Sequence, residues 1–357
     1  MPKISVIIPA YHHEKYIAAA IESILAQSFS DFEIVAIDDG SPDRTGEILD
    51  SCARRDDRIR VFHQENRGVA ETSNRGIEYA RGEWVAFCGS DDTYPPGALE
   101  ALIRKSENVD VVIGEYSCLS DRGLCKRVRY PCKKSSFTEL MFASGAMWGK
   151  LFRREFLMEN GLRFPKLAME EDVVFIARMA VLRPRFSLVR RSVYCYWSHD
   201  GDRSLSLTHR NDVKSFEERL KGKQMMLDIF YEHRFLEEWE AHFISSALLL
   251  SDYLLGVFQP RERERAFELF RNFLFQYDWS GREEKFRGYF GLLPEEMTED
   301  GLELFYQKNM QYDWKDRVYH KFATGQIGLR YILKYLDAWA KYKLSAIKEK
   351  RSGNSGD

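Results

Sequence analysis

Cys88-Gly89-Ser90-Asp91-Asp92 follows directly on the apolar run Trp84-Val85-Ala86-Phe87, so two adjacent carboxylates stand where a buried strand ends. Such a pair repels itself unless a cation lies between the two acids. A hard divalent ion, Mg²⁺ or Mn²⁺, takes carboxylate oxygen and keeps positions open for ligand phosphates. The pair therefore reads as a metal–diphosphate clamp, with a solvated acidic turn as the plain alternative. A second pair closes another β-branched run in Asp38-Asp39-Gly40-Ser41. A third, Glu171-Asp172, precedes the amphipathic pattern Val173-Val174-Phe175-Ile176-Ala177-Arg178-Met179. That places it at a helix N-terminus, where the dipole favours an ionised carboxylate. A general base must be charged and within reach of the hydroxyl it deprotonates; a helix cap is the competing use of the same position. Farther on, His199, Arg203 and Ser204 share one polar loop. A neutral imidazole there suits Mn²⁺ better than Mg²⁺, and Arg203 offers a fork for phosphate.

The elements that must position these groups are legible around them. Strand signals run over residues 3–8, 33–37, 59–62 and 83–87, with helical stretches over 14–27, 43–54 and 69–80. In the first helical stretch Ile17, Ile21, Ile24 and Leu25 recur at helical spacing. Strands alternating with helices imply an α/β fold with a mostly parallel sheet and right-handed crossovers. Both Asp38-Asp39 and Ser90-Asp91-Asp92 would then open onto the same sheet edge, where ligands of open α/β sheets bind.

Residues 1 to about 115 resemble the nucleotide-sugar half of the family 2 glycosyltransferases, which have the GT-A fold. The resemblance rests on Ser5-Val6-Ile7-Ile8-Pro9-Ala10-Tyr11, Asp38-Asp39-Gly40-Ser41, Asn66-Arg67-Gly68, Ser73-Asn74-Arg75-Gly76, Ala80-Arg81-Gly82-Glu83-Trp84 and Ser90-Asp91-Asp92, in that order. It extends weakly to residues 170–175 and 196–206 and stops near 210. It implies an inverting, metal-dependent transfer from a nucleotide-sugar donor, in the first instance UDP-linked, to a hydroxyl of a glycan or lipid-linked acceptor. It further implies that Pro9, Tyr11, Glu14, Asp38, Asp39, Asn66, Asn74, Ser90, Asp92, Glu171 and Ser204 bind the donor. Asp91 and His199 would hold Mn²⁺ or Mg²⁺, Asp172 would be the catalytic base, and Trp148 would lie near the acceptor, a core Trp being its alternative role. Within the Asp38-Asp39 pair one acid would meet the base or ribose and the other would cap the turn before Asp43. Two positions depart from the family pattern: Gly89 stands where relatives carry Asp, and Ser73 where they carry Arg. Two other readings stay open, a GT-A subunit that binds or assembles glycans without catalysis, and a nucleotidyltransferase. The second would need a Gly- and Lys/Arg-rich triphosphate loop, which Pro9-Ala10-Tyr11-His12-His13 lacks.

Composition agrees with an enzyme of one large or two medium domains. The 357 residues carry a net charge of −2 and are 44% hydrophobic, which argues against nucleic-acid binding through a global basic field. Cys52, Cys88, Cys118, Cys125, Cys132 and Cys195 form no C-x-x-C pair and read as reduced thiols of a cytoplasmic protein. The first residues read as a strand, with no signal-peptide pattern before it. The expected organisation is a GT-A domain over 1–210, a helical domain over 211–351 and a disordered tail over 352–357. Helical patterns run over 217–230, 237–258, 261–277 and 299–309, none apolar enough to span a bilayer. Over 328–351 the apolar face of Leu329, Ile332, Leu333, Leu336, Ala340 and Ile347 is joined to an excess of Lys and Arg. A basic amphipathic helix of this kind fits an anionic membrane surface, on the inner face of the cell membrane; packing on the helical domain is the alternative.

Overall fold

A computed structural model of the chain describes residues 1–120, 123–128, 137, 138, 140, 146–198, 212–236, 239, 242, 243, 246, 250, 260–276, 295, 298 and 301. His199, Ser204, the basic stretch 328–351 and the tail 352–357 lie outside them.

The first half is built from β1 (Ile4–Ala10), α1 (Ile17–Leu25), β2 (Phe32–Asp38), α2 (Thr45–Ala53), β3 (Ile59–His63), α3 (Val69–Tyr79) and β4 (Trp84–Phe87). β1 pairs parallel with both β2 and β4, and β2 with β3. These strands are near-continuous apolar runs because both faces are covered. Every residue of β2 is buried. On β1, Ile4, Val6 and Ile8 share a core with Ile17, Ile21 and Ile24 of α1 and Leu49 of α2. Ile7 points the other way: a Cβ on Gly76 of α3 would lie 2.2 Å from its Cγ2, so glycine permits that close approach.

One buried polar lock ties the strand starts together. Glu33 accepts hydrogen bonds from Ser5 Oγ (2.6 Å), Arg60 Nη1 (2.9 Å) and the Arg81 N–H (2.7 Å). Burial alone would raise this carboxyl. The bonds from Ser5, Arg60 and Arg81 more than offset that, and it ends below the usual range.

The second half adds a short α4 (Ala98–Ile103), β5 (Val111–Ser120), β6 (Gly123–Val128), β7 (Lys150–Arg153), α5 (Arg154–Glu159), α6 (Glu171–Val181) and β8 (Phe186–Ser198). The eight strands form one mixed sheet in the order β3-β2-β1-β4-β7-β5-β6, with β8 paired to β5. β7 runs antiparallel between β4 and β5. The strand order reverses between β1 and β4, and ligands of open α/β sheets bind at such a switch, outside the carboxyl ends of the strands.

Farther on lie α7 (Val213–Glu232) and α8 (Pro260–Phe275). Both fall on patterns expected from the sequence. The chain divides into compact units over Met1–Phe273 and Leu274–Asp357. The sequence pattern changes near residue 211, but α7 packs against α6 and belongs to the first unit. Among the described residues no helix is long and apolar enough to cross a membrane.

Candidate active site

At the carboxyl end of β1 the loop Tyr11-His12-His13-Glu14 is knitted onto the loop after β2. Its N–H groups donate in sequence, His12 to Ser41 Oγ (3.1 Å), His13 to Thr45 Oγ1 (2.9 Å) and Glu14 to Asp43 Oδ2 (3.0 Å). Glu14 Oε2 accepts from the Arg44 N–H at 3.0 Å. Pro9, next to last in β1, is half-buried, and Tyr11 stays 46% exposed just beyond the strand.

Asp38 and Asp39 are both buried, and both hold backbone. Asp38 Oδ1 accepts from the Ser41 N–H (3.0 Å), and its Oδ2 pairs with His63 Nδ1 (3.1 Å). Asp39 accepts from the N–H groups of Arg67 and Gly68, each at 2.8 Å, and from Gln64 Nε2 at 2.7 Å. Asp38 thus closes its own turn, and Asp39 fixes the turn that leads into α3. Gln64 carries the network on to Arg75, whose Nη1 donates to Gln64 Oε1 at 3.0 Å. Ser73 is buried within α3, and Asn66 is exposed beside Gly40. The Asn74 amide, expected from the sequence on the diphosphate side, is engaged at both ends with Phe164. Its Nδ2 donates to the Phe164 carbonyl (2.9 Å) and its Oδ1 accepts from the Phe164 N–H (2.8 Å). This clasp joins α3 to the segment ahead of α6.

Beyond β4, Asp92 is 2% exposed, with Oδ2 accepting from Tyr194 Oη (2.7 Å) and Oδ1 from the Trp197 N–H (2.8 Å). Tyr194 Oη in turn accepts from the Gly89 N–H at 2.8 Å. Burial, and then the Asp91 charge beside it, push the Asp92 carboxyl up to about 8. A Cβ at residue 89 would come within 2.7 Å of Asp92 Oδ2 and 3.1 Å of Asp91 Oδ1, so this turn has two acids and no room for a third without rearrangement. The donor set is hard oxygen and fits Mg²⁺ or Mn²⁺. Asp92 serves two protein donors, and Asp91 lies half-buried beside it. Among the described residues no group of three or more His, Cys, Asp and Glu side chains forms a metal cage; an ion here would need further ligands, for which water and ligand phosphate are suited. Ser90 is buried and shares a 2.5 Å hydrogen bond with His13 Nδ1, which bridges the β1 and β4 loops.

On the other side of the site, Glu170 adopts φ +64° and opens α6. Glu171 and Asp172 are half-buried in its first turn. Burial raises both carboxyls: Glu171, repelled also by Asp172 and Glu170, reaches about 8, and Asp172, repelled by Glu170, about 7. Lys223 and Lys150 pull Asp172 back down. Lys150 is 1% exposed on β7, and its Nζ donates to the Ala146 carbonyl at 2.6 Å; burial lowers it to about 7 against the pull of Asp172. Trp148, half-buried, stacks on Tyr194 (4.7 Å, 7°) and Tyr196 (5.6 Å, 17°) and meets Tyr116 edge-on (4.5 Å, 80°).

His13, Tyr194, Lys150 and Glu170 were not singled out from the sequence. A lysine set in the strand run Lys150-Leu151-Phe152 was a readable signal. The 77-residue separation of His13 from Ser90 left none.

A mixed sheet with an acidic turn at its β1/β4 switch is the GT-A arrangement. S. aureus TarS 1–349 in complex with UDP-GlcNAc shares the fold, with a TM-score of 0.52 and 24% identity over 75% of this chain and 83% of that one. The sequence pattern of glycosyl transferase family 2 matches residues 5–159. EpsH of Bacillus subtilis is 30% identical over 285 residues, 76% of this chain and 82% of its own length. The glycosyltransferase GlyG of Streptococcus pneumoniae is 42% identical over 221 residues, 56% of this chain and 71% of GlyG. The chain belongs to glycosyl transferase family 2, and it is a glycosyltransferase.

Proposed function

We propose that the protein moves a sugar from a UDP-sugar to a hydroxyl of a glycan or lipid-linked acceptor in one inverting step. The observation that carries this reading is the pairing of two acidic centres of different character. One is the Asp91-Asp92 turn at the sheet switch, next to the loops of β1 and β2. The other is the half-buried Glu171-Asp172 pair, whose carboxyls are raised to about 8 and about 7. The UDP reading takes support from the UDP-GlcNAc and UDP complexes of TarS, which have this fold.

In this reading Tyr11 and Pro9 face the base, and Asp38, Asp39 and Glu14 shape the pocket for base and ribose. Asn66, Ser90 and Asp92 line the diphosphate side, with Asn74 acting through the segment it clasps. A divalent ion held by Asp91, with His199 as a second ligand, would offset charge on the departing diphosphate. Asp172 takes the proton of the acceptor hydroxyl as that oxygen bonds to the anomeric carbon and the bond to the diphosphate breaks on the opposite face. Glu171 and Ser204 complete the donor contacts, and Trp148 offers a ring for an acceptor sugar.

A thermal-shift screen of UDP-, GDP- and dTDP-sugars, with and without Mn²⁺, tests the donor. UDP-sugars should raise Tm most, and more with Mn²⁺. No shift with any nucleotide sugar would favour a glycan-binding or assembly role instead.

Residues 328–351 supply the remaining part of the proposal, a peripheral place on an anionic membrane at the cytoplasmic face. Each well-placed Lys or Arg there is worth about 1 kcal/mol of attraction to acidic lipid, weakened by salt. The full chain should sediment with phosphatidylserine-containing vesicles at low salt, and a chain truncated before Gly328 should not. A full chain that ignores such vesicles removes the membrane from the reading.

A further inference from the structure

Helix α7 lies past the residues 5–159 that define the family match, yet one of its faces grips the turn from which α6 starts. Glu170, a non-glycine residue at φ +64°, sits in a conformation that side chains rarely adopt without support. Its carboxylate meets Lys223 Nζ at 2.6 Å and Arg219 Nη1 at 3.6 Å. All three side chains are largely enclosed, with exposures of 11% for Glu170, 14% for Lys223 and 16% for Arg219.

Between the two cations stands Gly222, in the interior of a 20-residue helix where glycine is normally unfavourable. A Cβ there would fall 2.4 Å from Glu170 Cβ and 3.2 Å from its Cγ. The missing methyl is the notch that receives the Glu170 stem. One turn earlier, Glu218 Oε2 accepts from the Ala168 N–H at 3.4 Å. Glu218, Arg219, Gly222 and Lys223 therefore hold residues 168–170 from one helix face.

Three carboxylates and three cations meet at this point. Glu170, Glu171 and Asp172 belong to α6 and its cap, Arg219 and Lys223 to α7, and Lys150 to β7. Glu218 is turned to Lys221 at 3.0 Å, and Arg178 of α6 donates away to the Arg163 carbonyl at 2.8 Å. Lys223 bonds directly to Glu170 and also acts through space on Asp172. A salt bridge serving only to dock α7 would need neither the left-handed turn nor a glycine under the acid.

We infer that the Gly222-Lys223 socket of α7 is a positioning device for the transfer reaction, holding Glu170 so that Asp172 is aimed at the acceptor hydroxyl. The inference rests on Asp172 being the base. Gly222 and Lys223 are positioning residues, acting through Glu170.

The test uses the full chain with Gly222→Ala, Lys223→Met, Lys223→Arg and, as reference, Asp172→Asn. Turnover is followed as UDP release from UDP-GlcNAc, UDP-glucose or UDP-galactose, and donor-site integrity as UDP affinity with Mn²⁺. The Asp172 titration is followed by ¹³C NMR of labelled carboxyls, assigned by the signal lost in Asp172→Asn. Gly222→Ala and Lys223→Met should each lower kcat by about 10-fold or more, the scale of a misplaced reacting group, with UDP affinity within about twofold. Lys223→Met should also raise the Asp172 midpoint by about half a pH unit or more, because a nearby cation is lost, and Lys223→Arg should restore most of both. Wild-type kcat and an unmoved Asp172 midpoint in folded Gly222→Ala and Lys223→Met would overturn the socket. Should Lys223→Met fail to fold, Gly222→Ala, which keeps every charge, still decides it through kcat. Wild-type turnover in Asp172→Asn would overturn the assignment of the base, a separate failure that the Asp172 titration in the α7 variants distinguishes from failure of the socket.

Discussion

Asp172→Asn lowers kcat by about 10²–10⁴, the usual worth of a general base, leaves UDP affinity within a few-fold, and yields a protein that melts higher than its parent at pH 8. The two effects share one cause. In the folded chain burial and Glu170 hold the Asp172 carboxyl up to about 7, against an ordinary value of 3.8. A carboxyl whose folded value is raised binds more protons folded than unfolded, so stability falls as pH rises from about 4 to about 7 and stays reduced above. The neutral amide avoids that cost, on the order of 1–3 kcal/mol once sharing with Glu171 is allowed for. The gain in Tm should therefore vanish near pH 4. In the parent, turnover should climb through pH 7 as the base ionises. Near-normal turnover in Asp172→Asn would move the base to Glu171.

Asp91→Ala should abolish the Mn²⁺-dependent part of UDP affinity and cut transfer by about 10² or more, since a bound cation stabilises several kcal/mol of developing charge. It is the more exposed of the pair, half-buried where Asp92 is buried. Asp92→Asn separates the roles: Asp92 holds Tyr194 and Trp197, so its variant should lose fold stability around the turn as well as activity. Isothermal titration with UDP, with and without Mn²⁺, reads the first effect directly. Equal UDP affinity in the parent under both conditions would remove the metal from the mechanism.

The parallel half of the molecule was legible because its signals are local. β1 to β4 and α1 to α3 each fall within a few residues of the expected spans, since apolar runs covered on both faces and helical spacing leave plain patterns. The antiparallel half was not read as strands. β7 opens with a buried lysine, and β8 carries Arg190 and Arg191 where its pairing with β5 shifts register. In the site, the acidic turns announced themselves, but their partners did not. The Asn74 clasp spans 90 residues and the Tyr194–Asp92 bond 102. The notch at Gly222 looks in sequence like a weak point in a helix and acquires meaning only from Glu170 lying in it.

The place of β7 in the sheet bears on how the chain is made. β4 ends at Phe87 and β5 begins at Val111, yet the two do not pair; the four residues Lys150–Arg153 come between them. During synthesis the parallel half can zip β1, β2, β3 and β4 together long before residue 150 leaves the ribosome. Until then β4 and β5 each show a bare edge of unpaired N–H and C=O groups, the kind that recruits strands from other chains. One short strand, arriving late, closes both edges at once: Phe152 pairs with Val85 on one side and Val111 on the other. The same strand that carries the buried lysine of the site is therefore the keystone of the nascent sheet.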